Sequence, residues 1–265
     1  MPISSRRGTA LAVTAALTTM ALGLAACGAG VPGRSPSGAP AGTLTVFAAA
    51  SMKPTFEGLQ ATFEAAHPAT KITFNFAGSQ ELATQIVEGA KPDVFVSAND
   101  TQMAVVTGAG LNSGEPKVFA TNKLMIAVPT TNPAGIKSFA DLTKPGVKLV
   151  VCAPAVPCGA ATKKVETATG VKLKPVSEEQ AVTNVLTKVQ TGEADAGLVY
   201  ATDVIAAHGT VVGIAFPQAS KAINRNVIVV LKGAPNAAAG QAWRDLVLSA
   251  VGRQVFAAAG FGTPE

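Results

Sequence analysis

Leu44-Thr45-Val46-Phe47-Ala48-Ala49-Ala50-Ser51 decides the fold, because this short apolar run reads as a strand that stops on a serine, and helical periodicity follows at once. In the next segment Phe56, Leu59 and Phe63 fall on one face of a helix from Thr55 to Ala66. A strand from Lys71 to Phe76 then turns Ile72, Phe74 and Phe76 inward. A helix from Glu81 to Gly89 aligns Leu82, Ile86 and Ala90, and a strand from Asp93 to Ser97 follows. Asn99 and Asp100 are placed to cap a helix that ends near Gly108. Strands alternating with helices predict mixed, mostly parallel sheets covered by helices, so the class is α/β.

A second set begins at Lys123-Leu124-Met125-Ile126-Ala127-Val128-Pro129. It continues with a short helix capped by Ser138, a strand Val147 to Val151, and helices near Ala160 to Thr169 and Glu179 to Thr191. Strands Ala196 to Tyr200 and Asn226 to Leu231 complete it. The last segment, Asn236 to Ala259, reads as helical, with Trp243, Leu246, Val247 and Ala250 on one stripe and a break at Gly252. Phe47, Phe74 and the Trp243 stripe are expected in the core. No repeat period of about 20 to 50 residues is apparent.

Toward the N-terminus, Arg6 and Arg7 precede an apolar stretch from Ala10 to Leu24, so residues 1–26 read as a signal peptide that is removed. Leu24-Ala25-Ala26-Cys27 resembles a bacterial lipobox, which implies acylation of Cys27 and a lipid tether to the outer face of the cell membrane. Residues 27–42 are rich in Gly, Ala, Pro and Ser and read as a flexible tether. No later apolar run reaches the roughly 18 residues a spanning helix needs.

The 265 residues carry a formal net charge of +5, two of those charges lie in the leader, and the lysines are scattered. That pattern excludes a nucleic-acid footprint and offers no basic patch to hold an anion. With Cys27 spent on lipid, Cys152 and Cys158 remain as an even pair in a compartment that permits disulfides; the expectation is a bridge, and two free thiols are the alternative. His67 and His208 have no ligand-like spacing to a cysteine, so no metal site is expected.

Ser51 and Ser79 both stand at strand-to-helix transitions, Ser79 after Phe74-Asn75-Phe76-Ala77-Gly78. A serine there can cap the helix that follows, and it can also present its hydroxyl and amide to an anion that the helix N-terminus favours. Either serine alone would read as a simple cap. Together they mark the carboxyl ends of strands in one α/β set, where open sheets bind ligands.

Phe47-Ala48-Ala49-Ala50-Ser51, Phe76-Ala77-Gly78-Ser79-Gln80-Glu81-Leu82-Ala83, Pro92-Asp93-Val94-Phe95-Val96-Ser97-Ala98, Val156-Pro157-Cys158-Gly159 and Gly197-Leu198-Val199-Tyr200-Ala201-Thr202-Asp203 resemble the ModA family of molybdate-binding proteins. The resemblance runs in order over residues 43–262. It implies a two-lobed, type II periplasmic-binding-protein-like fold with a ligand in the interlobe cleft. The lobes would comprise residues 43–121 plus 233–265, and residues 122–232, hinged near 121–123 and 231–233.

By the same resemblance, Ser51 and Ser79 would each give a hydroxyl and an amide to a tetrahedral oxyanion. Cys158 and Val182 would give amides and Tyr200 its phenol. The family pattern has alanine where this chain has Cys158. The implied activity is capture of molybdate and tungstate by a monomer, without a cofactor and without enzymatic chemistry, for delivery to an ABC permease in the membrane. Neutral donors disfavour an oxyanion that carries a proton, whereas sulfate must be excluded by size. The alternatives are a binding protein for sulfate or another small anion, and an extracytoplasmic serine hydrolase. The hydrolase would lack both a Gly-x-Ser-x-Gly elbow and a recognisable histidine partner.

Overall fold

The computed structural model describes residues 40–264, so the leader and Cys27 lie outside the described residues. Two sheets organise the chain. In the first, strands β1 (Gly42–Ala49), β2 (Thr70–Ala77) and β3 (Val94–Ser97) run parallel, in the order β2-β1-β3. Strand β4 (Asn112–Asn122) follows and leads into the second sheet through Lys123 alone. The second sheet holds β5 (Leu124–Pro129), β6 (Leu149–Cys152), β7 (Ser177–Glu179), β8 (Ala196–Tyr200) and β9 (Val211–Ile214), in the order β7-β6-β8-β5-β9. Strand β10 (Asn224–Leu231) then returns to the first sheet, antiparallel between β3 and β4.

This return corrects the expected boundary at residue 232. Asn226 to Leu231 pairs with β3 and β4, so the second crossing of the chain lies just ahead of Asn224. The two crossings meet, because Asn224 stands opposite Asn122 in the β10–β4 ladder.

Helices α1 (Lys53–Ala66), α2 (Ser79–Val87) and α3 (Asp100–Gly108) accompany the first sheet, and α4 (Pro157–Thr169), α5 (Val182–Gln190) and α6 (Ala201–Ala206) accompany the second. Helices α7 (Ala237–Leu248) and α8 (Ala250–Ala258) complete the first lobe. The expected break at Gly252 falls instead at Ser249, which ends α7 and caps α8 by accepting from the Gly252 amide at 3.2 Å.

Strand periodicity sorts the core of the first lobe onto two faces of its sheet. Leu44, Val46 and Ala48 point toward α1, α7 and α8, where Trp243 is fully buried and meets Phe56 edge-on at 5.2 Å between ring centroids. Phe47 and Phe95 point to the other face, against Leu82, Ile86 and Met103 of α2 and α3. The second lobe has its own core around Leu124, Ile126, Leu149, Val165, Val185 and Leu198. Each lobe thus buries enough apolar surface to hold its strand ends and helix starts rigidly at the face between them.

Candidate functional site

Ser51, Ser79, Cys158, Val182 and Tyr200 line one cavity between the two lobes, with Ala49, Ala50, Ala77, Gly78, Ala98, Val156 and Pro157 completing its wall. None of these residues carries a charge.

Ser51 sits in a 3-10 turn, Ala50–Met52, that joins β1 to α1. It is buried, and its Oγ has no hydrogen-bond partner among the described residues. Ser79 is the first residue of α2, behind the N-cap Gly78, and is 1% exposed. Its Oγ accepts from the Ala98 amide at 3.1 Å, so its proton is free to point elsewhere. Neither serine caps a helix: the N-caps of α1 and α2 are Met52 and Gly78, without a side-chain bond. The capping expectation is therefore corrected, and both hydroxyls remain available to the cavity.

The other lobe supplies donors of a different kind. Cys158 is the second residue of α4 and Val182 the first of α5, positions whose N–H groups have no intrahelical acceptor. Pro157 opens α4, where its missing N–H costs nothing. Sγ of Cys158 is joined to Cys152 at the end of β6, with 5.7 Å between the α-carbons, inside the roughly 7 Å that a bridge tolerates. The bridge ties the start of α4 to the strand behind it. Together the N-termini of α2, α4 and α5 bring unpaired amides and positive dipole ends to one place.

Tyr200 closes β8 and is 2% exposed. Its Oη accepts from Asn224 Nδ2 at 3.0 Å. Burial holds the phenol's pKa well above its ordinary value, and the nearby Asp203 carboxyl adds to that shift, while the Asn224 bond opposes it. The phenol therefore keeps its proton at neutral pH and can donate it. Asp203 accepts from the Tyr200 amide at 2.8 Å, and burial raises its own pKa to about 7.

The lobes touch around the cavity through groups that periodicity does not reveal. Gln80 Nε2 donates to the Gln180 carbonyl at 3.0 Å, and Gln102 Nε2 to the Ala155 carbonyl at 2.9 Å. Gly78 is needed for this approach, since a Cβ there would stand 2.3 Å from the Gln180 oxygen. Asn122 Nδ2 donates across the crossing to Thr202 Oγ1 at 2.8 Å. Such residues are visible in the sequence only as polar groups beside apolar runs, as in Asn224-Arg225-Asn226, and nothing there says where they reach. Neither His67 nor His208 lines the cavity. His67 packs on Phe63 at 4.6 Å between ring centroids.

An arrangement of hydroxyls and main-chain amides without a cation suits a small anion that only accepts hydrogen bonds. Comparison with known proteins agrees. The profile of the family described as bacterial extracellular solute-binding protein matches residues 44–262. The molybdate-binding protein ModA of Mycobacterium tuberculosis is 47% identical over 244 residues, covering 91% of this chain and 94% of the relative. Among solved structures, the periplasmic molybdate-binding protein of Azotobacter vinelandii superposes with a TM-score of 0.71 at 21% identity, covering 84% of this chain and 100% of that one. The sulfate-binding protein SubI of M. tuberculosis superposes with a TM-score of 0.72 at 18% identity, covering 84% and 88%. At those identities the two superpositions establish the fold. The sequence matches place the chain more narrowly: it belongs to the bacterial extracellular solute-binding proteins, in their ModA family.

Proposed function

We propose that the protein captures molybdate, and tungstate with it, outside the cytoplasm and delivers it to an ABC permease. The observation that carries this reading is the Ser51 hydroxyl: buried, without a partner among the described residues, and on the wall of a cavity that also gathers Ser79, the starts of α4 and α5, and Tyr200. A buried hydroxyl left unpaired costs about 1 to 3 kcal/mol, a cost that an accepting ligand reverses. Ser51 and Ser79 each give a hydroxyl and an amide, Cys158 and Val182 give amides, and Tyr200 gives its phenol.

Every one of these groups donates. A dianion with four accepting oxygens satisfies such a set, whereas a protonated oxyanion turns one hydrogen toward another hydrogen. Sulfate passes that test, and its rejection rests on the shorter bonds of sulfur, which leave some donors out of reach. A neutral cradle also avoids a buried ion pair, so release to the permease does not require breaking one.

Capture proceeds by closure of the lobes about the paired crossings at Asn122–Leu124 and just ahead of Asn224. The Gln80–Gln180 and Gln102–Ala155 contacts form when the lobes meet. Acylation of Cys27 holds the protein at the membrane through the tether of residues 27–42. Calorimetry with molybdate, tungstate, sulfate and phosphate tests the reading. Tight binding of the first two and weak binding of the others is expected; a preference for sulfate overturns it.

A further inference from the structure

Asn224 is 5% exposed and lies where the chain re-enters the first sheet. Its Nδ2 stands 2.9 Å from the Ala98 carbonyl of the first lobe, and 3.0 Å from Tyr200 Oη and 3.4 Å from the Pro157 carbonyl of the second. Carbonyl oxygens only accept, so Ala98 and Pro157 require that the amide face them with its nitrogen. That nitrogen has two hydrogens and no lone pair to offer; the short contacts to Ala98 and Tyr200 Oη take one each, and the longer Pro157 contact shares one of them. Tyr200 Oη, its third neighbour, can therefore only accept from it, and the phenol proton is turned away from Asn224.

We propose that Asn224 is a positioning residue that fixes the polarity of Tyr200: by occupying the acceptor side of the phenol, it makes the hydroxyl an obligate donor into the cavity. The inference rests on the oxyanion reading of the site and adds a residue to it. Because the two carbonyls that orient the amide belong to different lobes, the arrangement is complete only when both are in place. An isolated phenol could donate or accept; this one is held ready for a ligand that accepts. It thereby discriminates against a ligand group that would itself donate to Oη.

Tyr200 is the only tyrosine in the chain, so its ring vibrations report on one hydroxyl. The tyrosine Raman doublet distinguishes a phenol that accepts from one that does not. The experiment compares wild type, Asn224→Ala, Tyr200→Phe and the double variant, by Raman spectroscopy without ligand and by calorimetry with molybdate. Asn224→Ala should lose the acceptor signature and weaken binding about tenfold, and the loss should largely vanish in the Tyr200→Phe background.

Asn224→Asp provides a second variant of nearly the same shape. Its carboxylate accepts, so the phenol should donate to it and the doublet should move the opposite way from wild type. An unchanged doublet in both variants, or losses that multiply independently in the double variant, overturns the assignment and leaves Asn224 a structural bridge. If wild type binds no molybdate, the oxyanion reading fails, while the Raman comparison still decides whether Asn224 sets the polarity of the phenol.

Discussion

The two walls of the cavity do the same chemistry with different parts of the chain. In the proposed site the first lobe contributes side-chain hydroxyls at Ser51 and Ser79 along with their amides, and the second contributes the amides that open α4 and α5, with Tyr200 as its one side-chain donor. A hydroxyl depends on residue identity. An amide depends on where a helix begins, and almost any residue can supply it. The site should therefore break on a change of one atom at Ser51 or Ser79, but at Cys158 and Val182 only when the backbone itself is altered.

The largest effect is expected at the first wall. Ser51→Ala removes a hydroxyl whose bond to a charged acceptor is worth about 1.5 to 3 kcal/mol, so molybdate affinity measured by calorimetry should fall about tenfold or more. Val182→Pro is the corresponding attack on the second wall. Val182 opens α5 and Ala181 before it is extended (φ −146°, ψ 149°), which suits a following proline, so the helix should survive while one N–H disappears. A loss of about tenfold is expected, against less than about twofold for Val182→Ala, which keeps the amide. Equal losses for the two variants would show that the side chain, and not the amide, matters there.

Smaller effects should follow from what stands behind the second wall. Replacing Cys152 and Cys158 by serine opens a loop with a sequence separation of 6 and should cost about 2 kcal/mol of stability, read as a lower thermal midpoint. Affinity should fall only a few-fold, since the Cys158 amide remains. An unchanged midpoint would mean that helix packing alone fixes α4.

A last effect, read along the pH axis, concerns Asp203. Its pKa is raised from 3.8 to about 7 by burial, so the folded state holds a proton that the unfolded chain has released. The stability it contributes is present in full below about pH 4 and is lost as pH rises through 7. Asp203→Asn should flatten this slope of thermal midpoint between about pH 4 and 8. A slope that persists in the variant assigns it to another group.

The difference between the walls also explains what the sequence discloses. Ser51 and Ser79 are conspicuous because hydroxyls at strand ends form a pattern of residue types. Cys158 and Val182 carry no such mark, and only the resemblance to a family pointed to them. The long apolar strands and amphipathic helices were readable for the same reason as the serines. Strand β4 was not, because Asn112-Ser113-Gly114-Glu115 is polar and exposed and acquires its strand geometry from β10. Strand β7 is a polar edge of Ser177–Glu179, too short for alternation to register. The lobe membership of β10 was missed because periodicity identifies a buried strand without saying which sheet it enters. Asn224 was missed because three acceptors distant in sequence give it its role.

Where an amide alone is used, the side chain on it is free for other work, and Cys158 takes that freedom to form a bridge. The opposed asparagines at the two crossings carry a broader consequence. Both connections between the halves lie side by side in one ladder, like a pair of straps on a single spine. Rotation about that spine needs only small torsional changes at a few residues, whereas sliding one half past the other would tear the straps apart. In the proposed closure the joint would favour a swing over a slip. A transporter gripping both rims would then have one coordinate to pull on in order to spill the cargo.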